Sequence, residues 1–166
     1  MSSALISMGS NVPDRKEFLH QAIMRLTFSC RVLSISDIYE TFGHFEKRDP
    51  YLNCCVELET DMTSQQLLLF LLETEKQIGE DKQVHELKTA IDLDLIGYDQ
   101  EITRTPKLTI PHPEAHRRAF VMIPLAQIKP HWMHPLLKKS AEDLAKAVYW
   151  AGWGTFFASG KSLLDF

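Results

Sequence analysis

Asp92 and Asp94, in "TAIDLDLIGYD" (89–99), are spaced by one residue in a run where Ile91, Leu93 and Leu95 alternate with them. Such alternation predicts a strand, and a strand puts side chains two apart on one face, about 6.5 Å from each other. Two carboxylates that close repel, and one is driven toward protonation unless a cation lies between them. Hard oxygen ligands of this kind suit Mg²⁺, which takes one or two carboxylates and completes its shell with substrate phosphates and water. A pair of this kind also suits two such ions about 4 Å apart. The plainer alternative is the solvated outer face of an edge strand.

A second group lies in "TIPHPEAHRR", where His112 and His116 precede Arg117 and Arg118. A His-x3-His spacing can bind zinc, but Pro113 disfavours a shared helical face and no Cys or third His is nearby. Beside two metal-binding aspartates, His and Arg read better as anion recognition, since Arg grips phosphate with a planar fork. His131 and His134, in the Pro-bounded "PHWMHP", are expected in a surface loop. "SGKS" (159–162) is not a phosphate loop: Thr155 stands where the first Gly is required, and too little chain follows for a helix dipole. Cys30, Cys54 and Cys55 are odd in number, and adjacent residues on a strand point to opposite faces, so they predict buried reduced thiols.

The elements that must position these residues are legible in outline. "ALISMG" forms a short strand. Phe18, Leu19, Ala22, Ile23 and Leu26 then recur at helical spacing, with Pro13 and Asp14 suited to the first turn. Residues 31–40 alternate as a strand, 41–50 form a loop long enough to be functional, and "YLNCCVELET" (51–60) puts Leu52, Cys54, Val56 and Leu58 on one face. Thr63 to Gln66 reads as a capping box for a helix ending at Gly79. After the aspartate strand come a short strand, a turn and two helices, "AFVMIPLAQIKP" and "LLKKSAEDLAKAVYWA". The order β-α-β-loop-β-α-β predicts an α+β fold, an antiparallel sheet with two helices on one face.

With 166 residues, the chain suits one domain with a substantial core. Its net charge of −4 is opposite to that of a protein living on nucleic acid or an anionic membrane. "LLLFLL" is far short of a membrane span, and "MSSALISMGSN" lacks the charged start of a secretory leader, so a cytoplasmic protein is expected.

Taken in order, "MGSN" (8–11), "YLNCCVELET", "LLETEKQIG", "IDLDLIGYD" and "LTIPHPEAHRRAF" resemble 6-hydroxymethyl-7,8-dihydropterin pyrophosphokinases, over roughly residues 1–128. The resemblance implies a ferredoxin-like βαββαβ fold. Residues 129–166, beyond it, read as a helical extension of a single domain, and a monomer is expected. The resemblance also implies transfer of pyrophosphate from ATP to the hydroxymethyl group of the pterin, releasing AMP. Asp92 and Asp94 would hold two Mg²⁺ ions. Asn53 would bind the pterin amide edge, with Tyr51 beside it, Phe120 stacked on the ring and Thr41 in contact with it. Glu75, His112 and Arg118 match positions on the ATP side.

The chain departs from the family between Gly79 and Asp92. Family members carry an Arg-rich stretch ending in Trp-Gly-Pro-Arg; here "GEDKQVHELKTAID" has Glu80 at an expected Arg and no Trp. Lys82, His85 and Lys88 are the available cationic substitutes, as point charges and rings rather than forks. Two other readings remain open: a catalytically silent relative binding a pterin-like or nucleotide ligand, and a single-stranded RNA module, against which Glu57 and Glu59 on the central strand argue.

Overall fold

The computed structural model of the protein describes residues 1–42, 49–80 and 89–165. The proposed cationic substitutes Lys82, His85 and Lys88 lie outside them. Strand β1 (Ser2–Ser10) runs between β4 (Tyr51–Thr60) and β5 (Asp92–Tyr98), antiparallel to both. Its Ala4, Ile6 and Met8 face the larger core, and Leu5 the opposite side.

Helix α1 (Arg15–Ser29) buries the five residues its spacing predicts, Phe18, Leu19, Ala22, Ile23 and Leu26. It begins at Arg15, so Pro13 and Asp14 precede it and do not form its first turn: Asp14 takes a left-handed conformation (φ 67°) that no residue within the helix adopts. Helix α2 (Ser64–Glu80) lies with α1 on the same face of the sheet. Its capping box is reciprocal: the Thr63 N–H donates to Gln66 Oε1 (2.9 Å) and the Gln66 N–H to Thr63 Oγ1 (3.2 Å). Gly79 falls inside the last turn rather than after it. Each large side chain buried in this core, Leu19, Ile23 or Leu71 among them, contributes about 1.5–3 kcal/mol of apolar burial.

The strand expected over 31–40 is broken into β2 (Arg31–Ile35) and β3 (Ile38–Thr41), both paired with β4. The break is at Ser36, whose N–H donates to the Cys55 carbonyl (2.9 Å) while its hydroxyl accepts the Cys55 N–H (2.8 Å). Leu52, Cys54, Val56 and Leu58 of β4 face the α1–α2 core and Cys55 faces away, as the alternation predicts; all three thiols are free. With β2 and β3 counted as one broken strand, the sheet order β5-β1-β4-β3 has the ferredoxin-like βαββαβ arrangement. Strands β6 (Thr103–Arg104) and β7 (Thr109–Ile110) form a separate small ribbon.

Helices α3 (Ala119–Ile128) and α4 (Ala141–Val148) cover part of the opposite face, packing Val121, Met122, Leu125 and Leu144 against Leu5, Cys55 and Ile96. The last helix is shorter than its sequence suggests: residues 136–140 precede it, and the Ser140 hydroxyl caps it by accepting the Asp143 N–H (3.1 Å). Nor is the region 129–166 wholly helical. Thr155–Ala158 forms β8, pairing antiparallel with β3 as a sixth strand. Its Thr-Phe-Phe run has strand propensity, and β3 offers an open edge. "SGKS" leads into a 3-10 turn (Gly160–Leu164) that buries Leu163, with Gly160 so close to the Ser36 carbonyl that no side chain would fit.

His134 is not a surface-loop residue. It is buried, and its Nδ1 accepts the N–H groups of Leu136 and Leu137 (3.2 and 3.1 Å), backbone donors that a tight turn leaves without strand partners. Its ring meets Trp132 and His116 edge-on, at 5.7 Å in each case. His131 is exposed, as expected.

Candidate active site

One cross-strand row organises the site. Tyr39 on β3 pairs with Asn53 on β4, Asn53 with Gly9 on β1, and Gly9 with Asp92 on β5. Alternation places Thr41, Tyr51 and Asp94 on the same face, the face partly covered by α3. Gly9 is needed at the centre: a Cβ there would lie 2.9 Å from Asn53 Oδ1 and 3.5 Å from Tyr51 Cδ1. A side-chain-free floor thus separates Asn53 from Asp92, whose backbones are about 10 Å apart, two interstrand spacings.

At one end of the row, negative charge dominates. Asp92 is exposed and Asp94 half-buried, while Leu93 and Leu95 between and after them enter the core. Protein packed around the mouth of the site pushes Asp92 up from 3.8 to about 6, with Asp94 adding to the rise and Arg118 and His112 opposing it. Burial raises Asp94 as well, again opposed by Arg118. Glu75, on α2, reaches the outer edge of β5, where its Oε1 accepts the Leu93 N–H at 2.7 Å. Burial drives it from 4.5 to about 7, and the two aspartates add to the rise.

The cations of the site come from the segment before α3. Arg118 sits at the N-terminus of α3 with its guanidinium 5.9 Å from the Phe120 ring centroid. The His112 backbone N–H donates to the Ile96 carbonyl (2.9 Å), which docks this segment on β5. His112 Nδ1 accepts the Glu114 N–H (3.1 Å), so a neutral ring carries its proton on Nε2. Burial lowers the His112 pKa, and the Arg118 charge lowers it further, against Asp92 and Glu114.

At the other end the groups are neutral. Asn53 is buried, and its Nδ2 donates to Thr41 Oγ1 at 2.5 Å. The Tyr51 hydroxyl lies 3.3 Å from Thr89 Oγ1. An amide held in one orientation between two strands can read the donor and acceptor edge of a flat heterocycle.

The structure therefore brings Asp92, Asp94, Glu75, His112 and Arg118 together at one end of the row and Thr41, Tyr51 and Asn53 along it, with Phe120 beside Arg118. His116 is not part of the group; it packs on His134 instead. Sequence reasoning did not foresee Gly9 as the floor, or Tyr39 as the far end of the row. Only the strand register reveals either one. Among the described residues, no three His, Cys, Asp or Glu side chains form a complete metal-binding set. Two carboxylates with raised pKa beside a guanidinium fit Mg²⁺ completed by phosphate and water, not a closed zinc site. A cavity of about 330 Å³ at the other end of the sheet, lined by Met1, Cys30, Arg31 and Met62, offers no comparable chemistry: burial pushes the Cys30 thiol up and away from reactivity.

The family model described as 7,8-dihydro-6-hydroxymethylpterin-pyrophosphokinase (HPPK) matches residues 5–130. The chain belongs to the HPPK family. Among its relatives, the 2-amino-4-hydroxy-6-hydroxymethyldihydropteridine pyrophosphokinase of Aquifex aeolicus is 32% identical over 144 residues, covering 86% of this chain and 90% of that one. The Bacillus subtilis protein of the same name is 34% identical over 128 residues, covering 75% and 77%. The Dictyostelium discoideum folic acid synthesis protein FOL1 is 32% identical over 133 residues, covering 80% of this chain but only 20% of that longer one. The crystal structure of Plasmodium falciparum HPPK-DHPS A437G superposes with a TM-score of 0.74 over 88% of this chain and 45% of that one. At 12% identity, that likeness establishes the fold alone.

Proposed function

We propose that this member of the HPPK family transfers pyrophosphate from ATP to 6-hydroxymethyl-7,8-dihydropterin, a step of folate biosynthesis. The observation that supports the reading is the row Asn53–Gly9–Asp92, which sets a neutral amide and a carboxylate at opposite ends of a bare floor. The ring lies at the Asn53 end, held by the amide that Thr41 orients, with Tyr51 and Phe120 against its faces. The triphosphate lies at the Asp92 end, with Arg118 and the His112 Nε2–H donating to its oxygens. Asp92 and Asp94 would hold two Mg²⁺ ions, which would supply positive charge to offset that of the triphosphate.

The chain's own contribution is positioning and electrostatics, with no covalent enzyme intermediate. The substrate hydroxyl attacks the β-phosphorus in line. An O–Pβ bond forms, the bond from Pβ to the α,β-bridging oxygen breaks, AMP leaves, and the hydroxyl proton passes to solvent. Glu75 keeps β5 and its two aspartates in place through the Leu93 N–H. A single domain acting as a cytoplasmic monomer, with no nucleic-acid partner, completes the reading. Among the described residues, no helix is long and apolar enough to cross a membrane.

One observation favours a second reading, a silent relative that binds pterin-like or nucleotide ligands without turnover. Glu80, standing at an expected Arg, pairs with Lys76 at 3.9 Å and supplies no cation for phosphate. A lost phosphate donor is worth about 3 kcal/mol, or about 10²-fold in rate. AMP formation from ATP, Mg²⁺ and the dihydropterin decides between them. Turnover that disappears in Asp94→Ala supports the enzyme; ligand binding without AMP supports the silent relative.

A further inference from the structure

The family match ends at residue 130, yet the segment that closes the far end of the row comes from residues 153–158. Strand β8 pairs Phe156 with Tyr39 and Thr155 with Glu40. Just before it, the Trp153 ring packs on Tyr39 with centroids 5.0 Å apart at 52°. Tyr39 is in turn tied to α3, its hydroxyl donating to Gln127 Oε1 at 3.1 Å. Gly154 presses on the next residues of β3: a Cβ there would lie 3.0 Å from Thr41 Cγ2 and 3.2 Å from the Glu40 carbonyl oxygen. Thr41 is buried, and its Oγ1 is the acceptor for Asn53 Nδ2. On the reverse face, Arg15 binds the same strands together. It donates to Glu40 (2.6 Å) and to the Pro50 carbonyl (2.9 Å), with its guanidinium 5.8 Å from the Phe157 ring centroid.

From this chain of contacts we propose that Trp153 is a positioning residue for the ring-binding half of the site, acting through Tyr39 and Thr41 on the Asn53 amide. The inference rests on Asn53 as the contact for the ring edge, and its ligand class is a flat heterocycle bearing an amide-like donor and acceptor edge. An Asn side chain with one fixed orientation discriminates between ring edges; one free to flip accepts both. The C-terminal segment thereby sets specificity at a site whose other residues all precede it.

The test has a ligand-free arm and a binding arm. In ¹⁵N-labelled protein without ligand, Gly154→Ala and Trp153→Ala are expected to shift the Asn53 side-chain amide resonances, while Trp150→Ala, on the exposed turn, leaves them in place. In binding, Trp153→Ala is expected to weaken the dihydropterin about tenfold with Mg·ATP affinity changed less than about twofold. It should also narrow the preference for a 4-oxo over a 4-amino pteridine, and Trp153→Phe should recover most of both. Unmoved Asn53 resonances, or equal losses for pterin and ATP, overturn the proposal. If Trp153→Ala does not fold, Trp153→Phe and Gly154→Ala carry the decision. Wild-type protein that binds Mg·ATP but no pterin overturns the reading of the site, whereas the resonance experiment judges the positioning on its own.

Discussion

Asn53 and Asp92 are register partners of the same residue, Gly9, on its two sides. The groups assigned to the two substrates are thus tied to each other by one glycine. Gly9→Ala is expected to leave the fold intact and to weaken pterin binding by about tenfold or more, because its Cβ would drive Asn53 Oδ1 from its place. Calorimetry with the pterin and with Mg·ATP checks this; a variant that binds both as wild type does would contradict the floor.

Charge at the aspartate end makes stability depend on pH. Burial raises Glu75 to about 7, and the protein packed around the mouth of the site, with Asp94 adding to it, raises Asp92 to about 6. The native state therefore holds protons that the unfolded chain has already released, and stability falls where the native state binds more of them. Metal-free protein is expected to be more stable near pH 5 than near pH 7.5, losing stability between about pH 4 and about pH 7 as these carboxylates ionise. Glu75→Gln should flatten that fall. Thermal melts across the range measure it, and a melting temperature that rises steadily to pH 7.5 would refute the assignment.

Mg²⁺ should counter the same repulsion. With a non-hydrolysable ATP analogue present, Mg²⁺ is expected to raise the melting temperature of wild type at pH 7.5 and to leave Asp94→Asn nearly unchanged, since ligand binding stabilises only the state that binds it. An equal shift in both proteins would show that the ion is held elsewhere.

The capping box gives a purely structural counterpart. Thr63→Ala removes the acceptor for the Gln66 N–H and is expected to lower stability by about 1 kcal/mol in denaturant titration, with ligand affinities unaltered.

Much of this was legible in the residues. Alternation in β4 assigned Leu52, Cys54, Val56 and Leu58 to one face because a half-buried strand cannot do otherwise. The aspartate pair was visible because two anions between core leucines call for a reason. What stayed hidden depends on pairing between distant segments. The break at Ser36 follows from its bonds to Cys55, and the burial of His134 from two turn N–H groups that need an acceptor. Neither bond leaves a trace in local periodicity. The strand at Thr155–Ala158 was missed for the same reason: its short aromatic run becomes a strand only because β3 has an edge to offer.

Pairing Glu40 with Thr155 also has a consequence in time. A growing chain emerges from its N-terminus, so the segments carrying Asn53, Gly9 and Asp92 are synthesised well before β8. Contacts between residues so far apart in sequence form late, after the loop-closure entropy of the intervening chain has been overcome. Until then β3 is an unprotected edge, open to pairing with strands of other nascent chains. Pairing of β8 therefore also ends the period in which that edge is open to misassembly.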